Sequence, residues 1–177
     1  NYLYVSKNDT LLNIYDIHTD TLPVLVNQIE GDDATYPWQD MLLYGDTIYI
    51  FGRGGRQFTL NDTFNLSYVR RVSSGEQMER EDTIGVTLSK VYSILRVFKS
   101  NVAGDITTAL DLYSATEPPR GLYLTYPFVY FGYGSKGIGI MDISNLYDIK
   151  LKKTVLTGGN TYDVEMIEET LLIAARG

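Results

Sequence analysis

Apolar and polar positions alternate with a period of two along much of this chain, in short bursts separated by Gly, Asp, Asn and Ser. Such bursts predict half-buried β-strands, because successive strand side chains point to opposite faces of a sheet. The clearest burst is Phe128–Ser144, FVYFGYGSKGIGIMDIS. Its two apolar runs, Phe128–Phe131 and Ile138–Ile143, flank a glycine-rich turn, Gly132–Gly139, and together they read as a β-hairpin. Helical stripes, with apolar residues three and four apart over 10–15 positions, are not convincing anywhere. The pattern predicts an all-β chain.

The hairpin pattern recurs. Its inner-strand motif is centred on Tyr4 in YLYVS, Tyr49 in TIYIFG, Tyr92 in KVYSIL, Tyr130 in FVYFG and Leu172 in TLLIA, at steps of 38 to 45 residues. That period is the length of a four-stranded β-propeller blade. Outer strands are expected at Val24–Ile29, Ser67–Ser73 and Leu151–Leu156. Strands leading into the next unit are expected at Gln39–Tyr44, Ile84–Leu88, Leu122–Thr125 and Tyr162–Ile167. The predicted fold is an all-β propeller fragment of four-stranded antiparallel blades, in one domain covering 1–177. Its repeats fall at about 1–46, 47–90, 91–127 and 128–169, with the start of another at 170–177. The third unit breaks the rule: SATEPPRG, between Tyr113 and Leu122, is too short and proline-rich for an outer strand. The sequence opens inside one strand-like run and closes after another, so further blades of the same polypeptide are expected.

Composition narrows the chemistry. The net charge of −7 leaves no basic surplus to neutralise phosphates, which argues against a nucleic-acid partner. The absence of cysteine excludes disulfides and thiolate metal sites. No run reaches the roughly 18 apolar residues of a transmembrane helix.

Few residues offer themselves as sites. After each hairpin turn an apolar run ends in a short polar acceptor: Asp16, Asn61, Asp111 and Asp142. Such residues bond backbone N–H groups of the following turn, so they are read as structural turn caps. RGGR at Arg53–Arg56 lacks the GxxxxGK[ST] pattern and following helix of a phosphate loop; Arg53 and Arg56 remain candidates for an anionic ligand. In the turn GYGSKG, Tyr133 and Lys136 are expected at the exposed tip, where an aromatic ring could stack on a sugar. Trp38 reads as a packing anchor, and His18, the single histidine, as a surface residue. The Asp-rich loops lack calcium-loop spacing, so no metal or cofactor is expected. The sequons at Asn8, Asn61 and Asn65 and the Asp-Thr-aliphatic triplets are weak glycosylation signals. No nucleophile–base pair or GxSxG elbow is present, and no residue is assigned as catalytic.

The stretch GIGIMDISNLYDIKLKKTVLTGGNTYDVEMIEETLLIAARG resembles the LVIVD-repeat β-propellers, through Asp142-Ile143-Ser144, Tyr162-Asp163-Val164 and Leu172-Ile173-Ala174. The segment IYDIHTDTLPVLV matches less closely, and the middle units poorly. The resemblance implies a bacterial or archaeal surface or secreted protein, hence an extracytoplasmic location. The expected function is a non-enzymatic binding or scaffold module presenting propeller loops to a protein or glycan. The alternative is the propeller portion of a carbohydrate-active hydrolase or lyase, with paired carboxylates on its central face.

Overall fold

In the computed structural model, the described residues are 2–7, 11–18, 22–30, 40–45, 47–51, 56–60, 66–71, 77–100 and 106–177. Among them the secondary structure is entirely β, with no helix. The chain divides into two compact units, Asn1–Ser74 and Gly75–Gly177.

The first unit holds two antiparallel sheets. One has the order β1 (Tyr2–Lys7), β2 (Leu11–Asp16), β3 (Val24–Glu30). The other has the order β4 (Asp40–Tyr44), β5 (Thr47–Phe51), β6 (Arg56–Leu60), β7 (Leu66–Arg71). Strand β5 is buried along its whole length, so its sequence TIYIF reads as a continuous apolar run. Leu12, Ile48, Ile50 and Phe58 form the core here, with Tyr4, Ile29 and Met41 packed against them.

The second unit holds β8 (Gln77–Glu81), β9 (Ile84–Ser89), β10 (Ile94–Ser100) and β11 (Ile106–Ser114), hydrogen-bonded in sequence order. A second four-stranded sheet follows in β12 (Arg120–Thr125), β13 (Phe128–Gly132), β14 (Ile138–Asp142) and β15 (Lys150–Val155). A pair, β16 (Asn160–Ile167) and β17 (Thr170–Arg176), completes the unit. The first strands of these three sheets are neighbours, with β12 packed between β8 and β16. Val86, Leu88, Leu95 and Val97 of one sheet share a core with Leu122, Val129, Phe131 and Met141 of the next. Two cross-strand pairs, Phe131 opposite Gly139 and Phe98 opposite Gly85, lay an aromatic ring over a bare backbone.

The sheets that begin with β4 and β12 start one strand earlier than the repeats read from the inner-strand motif: Leu122–Thr125 and Phe128–Phe131, for example, share one sheet. The third repeat also needs correcting. Tyr92 lies in the turn between β9 and β10, 65% exposed, rather than at the centre of a strand. Its sheet is four-stranded, and β11, read as the apolar run that follows the hairpin turn of that repeat, is its last strand. The strand overlooked is β8, whose sequence QMERE fully buries Met78 alone and so carries almost no apolar signal.

Candidate functional site

Three connections of the second unit meet at one end of its sheets: β11 to β12, β13 to β14, and β15 to β16. The β13–β14 turn folds tightly. The Tyr133 N–H donates to the Gly137 carbonyl at 2.7 Å and the Lys136 N–H to the Tyr133 carbonyl at 3.0 Å. Gly134 sits at φ +53°, where a Cβ would also collide with Glu117 Oε2. Gly134 bridges to Thr161 at the start of β16, accepting its N–H at 3.0 Å. Glu117, in the β11–β12 connection, grips the turn from the other side. Its Oε2 accepts the Ser135 N–H at 2.9 Å, and its Oε1 accepts the Ser135 hydroxyl at 2.7 Å. Those two bonds, the hydroxyl's first, hold the Glu117 carboxyl below the usual carboxylate range.

Tyr133 is not at an exposed tip. It is 2% exposed, packed against Phe131 with ring centroids 5.2 Å apart. Its hydroxyl accepts the Thr116 N–H at 3.1 Å and bonds Thr116 Oγ1 at 2.9 Å. The turn is too short to carry a free tip, so the tyrosine turns inward beneath the β11–β12 connection. Lys136 follows it: its ammonium lies 4.9 Å from the Tyr133 ring centroid and donates to Thr116 Oγ1. Burial, followed by the contact with Tyr133, pushes the neighbouring Tyr113 phenol up to about 12. These side chains lock the connections together.

Beside the lock lies a polar recess of about 160 Å³, lined by Glu117, Pro118, Arg120, Gly134, Asn160 and Tyr162. The Arg120 guanidinium stands 4.7 Å above the Tyr162 ring centroid and forms no ion pair with the described residues. The sequence analysis singled out none of these residues for a site.

No protein-family model and no curated protein sequence matches this chain. Solved structures do. BamB from Moraxella catarrhalis superposes with a TM-score of 0.70 at 13% identity, over 98% of this chain and 51% of its own. A chain of a mitotic checkpoint complex gives 0.76 at 10% identity, over 98% of this chain and 55% of its own. The fold is β-propeller-like. A Bacteroides fragilis protein provisionally assigned as a 6-phosphogluconolactonase gives 0.76 at 14% identity, over 94% of this chain and 58% of its own. The chain thus spans little more than half the length of these relatives. At such identities the likeness carries the fold and no activity.

The remaining sequence candidates lie elsewhere. Asp16 accepts the His18 N–H at 2.9 Å and Asp142 accepts the Ser144 N–H at 3.0 Å, each in the loop that follows its strand. These backbone bonds lead the causes that lower both carboxyl pKa values. Asp111 behaves differently. Lying within β11, it accepts the N–H of Ile149, in the β14–β15 connection of the next sheet, at 2.8 Å. It ties two neighbouring sheets, its own strand being the last of the first of them. His18 is exposed and pairs with Asp16 at 2.7 Å. Arg53, Asn61, Trp38 and the sequon asparagines Asn8 and Asn65 lie outside the described residues, and Arg56 is described only as the first residue of β6. A wider recess of about 520 Å³ beside the β14–β15 connection has its charges paired, Asp148 with Lys150 at 2.6 Å and Asp142 with Lys152 at 3.5 Å. Among the described residues no cluster of His, Cys, Asp and Glu suited to a metal ion occurs, and no helix is long and apolar enough to cross a membrane.

Proposed function

We propose that this chain is a non-enzymatic binding module that presents the cross-linked loop end of its second unit to a glycan or protein. The observation carrying this reading is that three connections from successive sheets are fastened by Thr116–Tyr133, Glu117–Ser135 and Gly134–Thr161 contacts. Loops fixed this way lose little conformational entropy on binding, which favours recognition. The sheets of the second unit, with their first strands side by side, support a finer reading as blades of a β-propeller. The resemblance of residues 137–177 to LVIVD repeats supports membership of that family and an extracytoplasmic setting.

The test is a screen of the 177-residue chain against immobilised glycans and surface proteins, with the products of any bound polysaccharide followed in parallel. Saturable binding that leaves the ligand intact is the expected result. Cleavage of a polysaccharide would favour the hydrolase or lyase reading instead. Absence of binding to either ligand class would remove the proposal.

A further inference from the structure

We propose that the recess at Glu117, Arg120, Asn160 and Tyr162 binds a uronic acid unit, a hydroxylated ring bearing a carboxylate. This deepens, and rests on, the reading of the loop end as a binding face. Size comes first. At roughly 30 Å³ per water in the liquid, a recess of about 160 Å³ displaces about five waters on filling. That is room for one small ring and not for an extended chain, so the rest of a glycan would leave through the open side.

Charge comes next. Arg120 is held over the Tyr162 ring by a contact that uses no acceptor oxygen, so its N–H donors keep their capacity for a ligand oxyanion. Guanidinium and carboxylate match as a two-bond fork, a geometry that an ammonium could not reproduce. Across the recess Glu117 has spent one acceptor position of each oxygen on Ser135, leaving the others to receive hydroxyl hydrogens. Its lowered pKa keeps it an acceptor into the acid range. Tyr162, 40% exposed, offers an aromatic edge and a hydroxyl, and Asn160 an amide.

The two charges together select the ligand. A bare phosphate would meet the Glu117 carboxylate. A neutral sugar would leave Arg120 without an oxyanion. A cation would face the guanidinium. A ring with a carboxylate at one end and hydroxyls at the other satisfies both. The backbone enforces the placement of Glu117, since any side chain at Gly134 would displace it.

Titration calorimetry of the 177-residue chain at neutral pH tests this with four probes: tri-galacturonic acid, galactotriose, inorganic phosphate and alanine. The uronate is expected to bind at least tenfold more tightly than the neutral trisaccharide, phosphate or the zwitterion. Arg120→Gln should weaken the uronate at least tenfold and Arg120→Lys should recover part of the loss, with the circular dichroism spectrum unchanged. Gly134→Ala should weaken it by displacing Glu117. If a variant fails to fold, the wild-type chain still decides, because uronate must shift the NMR signals of the Arg120 and Tyr162 side chains. Equal affinity for galactotriose, tighter phosphate or alanine binding, or an unaltered Arg120→Gln would overturn the inference. A glycan or protein that binds equally well to Arg120→Gln would do so while leaving the binding-module reading intact. No binding by any glycan or protein would remove both.

Discussion

Replacing Gly139 with alanine should destabilise the second unit through a single contact. The Phe131 ring lies across the bare Gly139 backbone, its cross-strand partner. A Cβ at 139 would stand 2.5 and 2.7 Å from the two Cε atoms of Phe131, and closer still to Cζ. Backbone entropy alone would favour alanine over glycine in a strand by roughly 0.5–1 kcal/mol. Against this, Phe131 is fully buried, touching Tyr133 and Tyr113, and has no free space to retreat into. Forcing a packed ring off its rotamer costs about 1–3 kcal/mol. The second effect wins, for a net loss of about 1–2 kcal/mol. The assay is urea unfolding followed by circular dichroism, in a cycle with Phe131→Ala. Phe131→Ala alone should cost about 3–5 kcal/mol. In its background Gly139→Ala should become neutral or stabilising, giving a coupling of at least about 1 kcal/mol. A raised urea midpoint for Gly139→Ala, or the same shift with and without Phe131, would refute the argument.

Gly85→Ala should repeat the effect against Phe98, since its Cβ would fall within 2.9 Å of three atoms of that ring; the same urea titration reads it. Tyr133→Phe leaves the Thr116 N–H without its acceptor and should cost about 1–2 kcal/mol, visible as faster exchange of the Thr116 amide. Leu95→Ala, at a fully buried position of the shared core, should cost about 2–4 kcal/mol in the urea midpoint. Asp16, Glu117 and Asp142 all titrate lower folded than unfolded, so their stabilisation is complete above the unfolded carboxylate range. It is lost as pH falls through their folded values, and carbon-detected NMR should find all three below the ordinary midpoints. Tyr113 runs the other way. Its contribution holds below pH 10 and fades as pH rises toward about 12, where ultraviolet titration should show a late phenol absent from Tyr113→Phe.

Strands that bury one face announced themselves, and β13 and β14 form the hairpin that their alternation implied. Strand β8 stayed hidden because a strand that fully buries only Met78 shows no period; Ile84–Leu88, in β9, was read in its place, and Val91-Tyr92 in the place of β9 by β-propensity alone. That one displaced strand made the third unit look truncated. Tyr133 was misplaced for a related reason. Glycines mark a turn, but whether a turn residue points out or in depends on Thr116, 17 residues upstream, which local pattern cannot supply. The recess was illegible for the same cause: Glu117 comes from the β11–β12 connection, Arg120 from β12, and Asn160 and Tyr162 from β16, and they share only their location in space.

The Asp111–Ile149 bond has a mechanical meaning. Neighbouring sheets of the second unit are stacked, not hydrogen-bonded strand to strand, and where β12 touches β8 they could pivot like the leaves of a fan. Asp111 sits on the strand farthest from that axis and clasps a backbone amide of the next leaf. A leaf held at its hinge alone can swing. Held at the hinge, along the shared core and at the outer margin, it keeps a fixed pitch, and one carboxylate supplies the outermost of those fastenings.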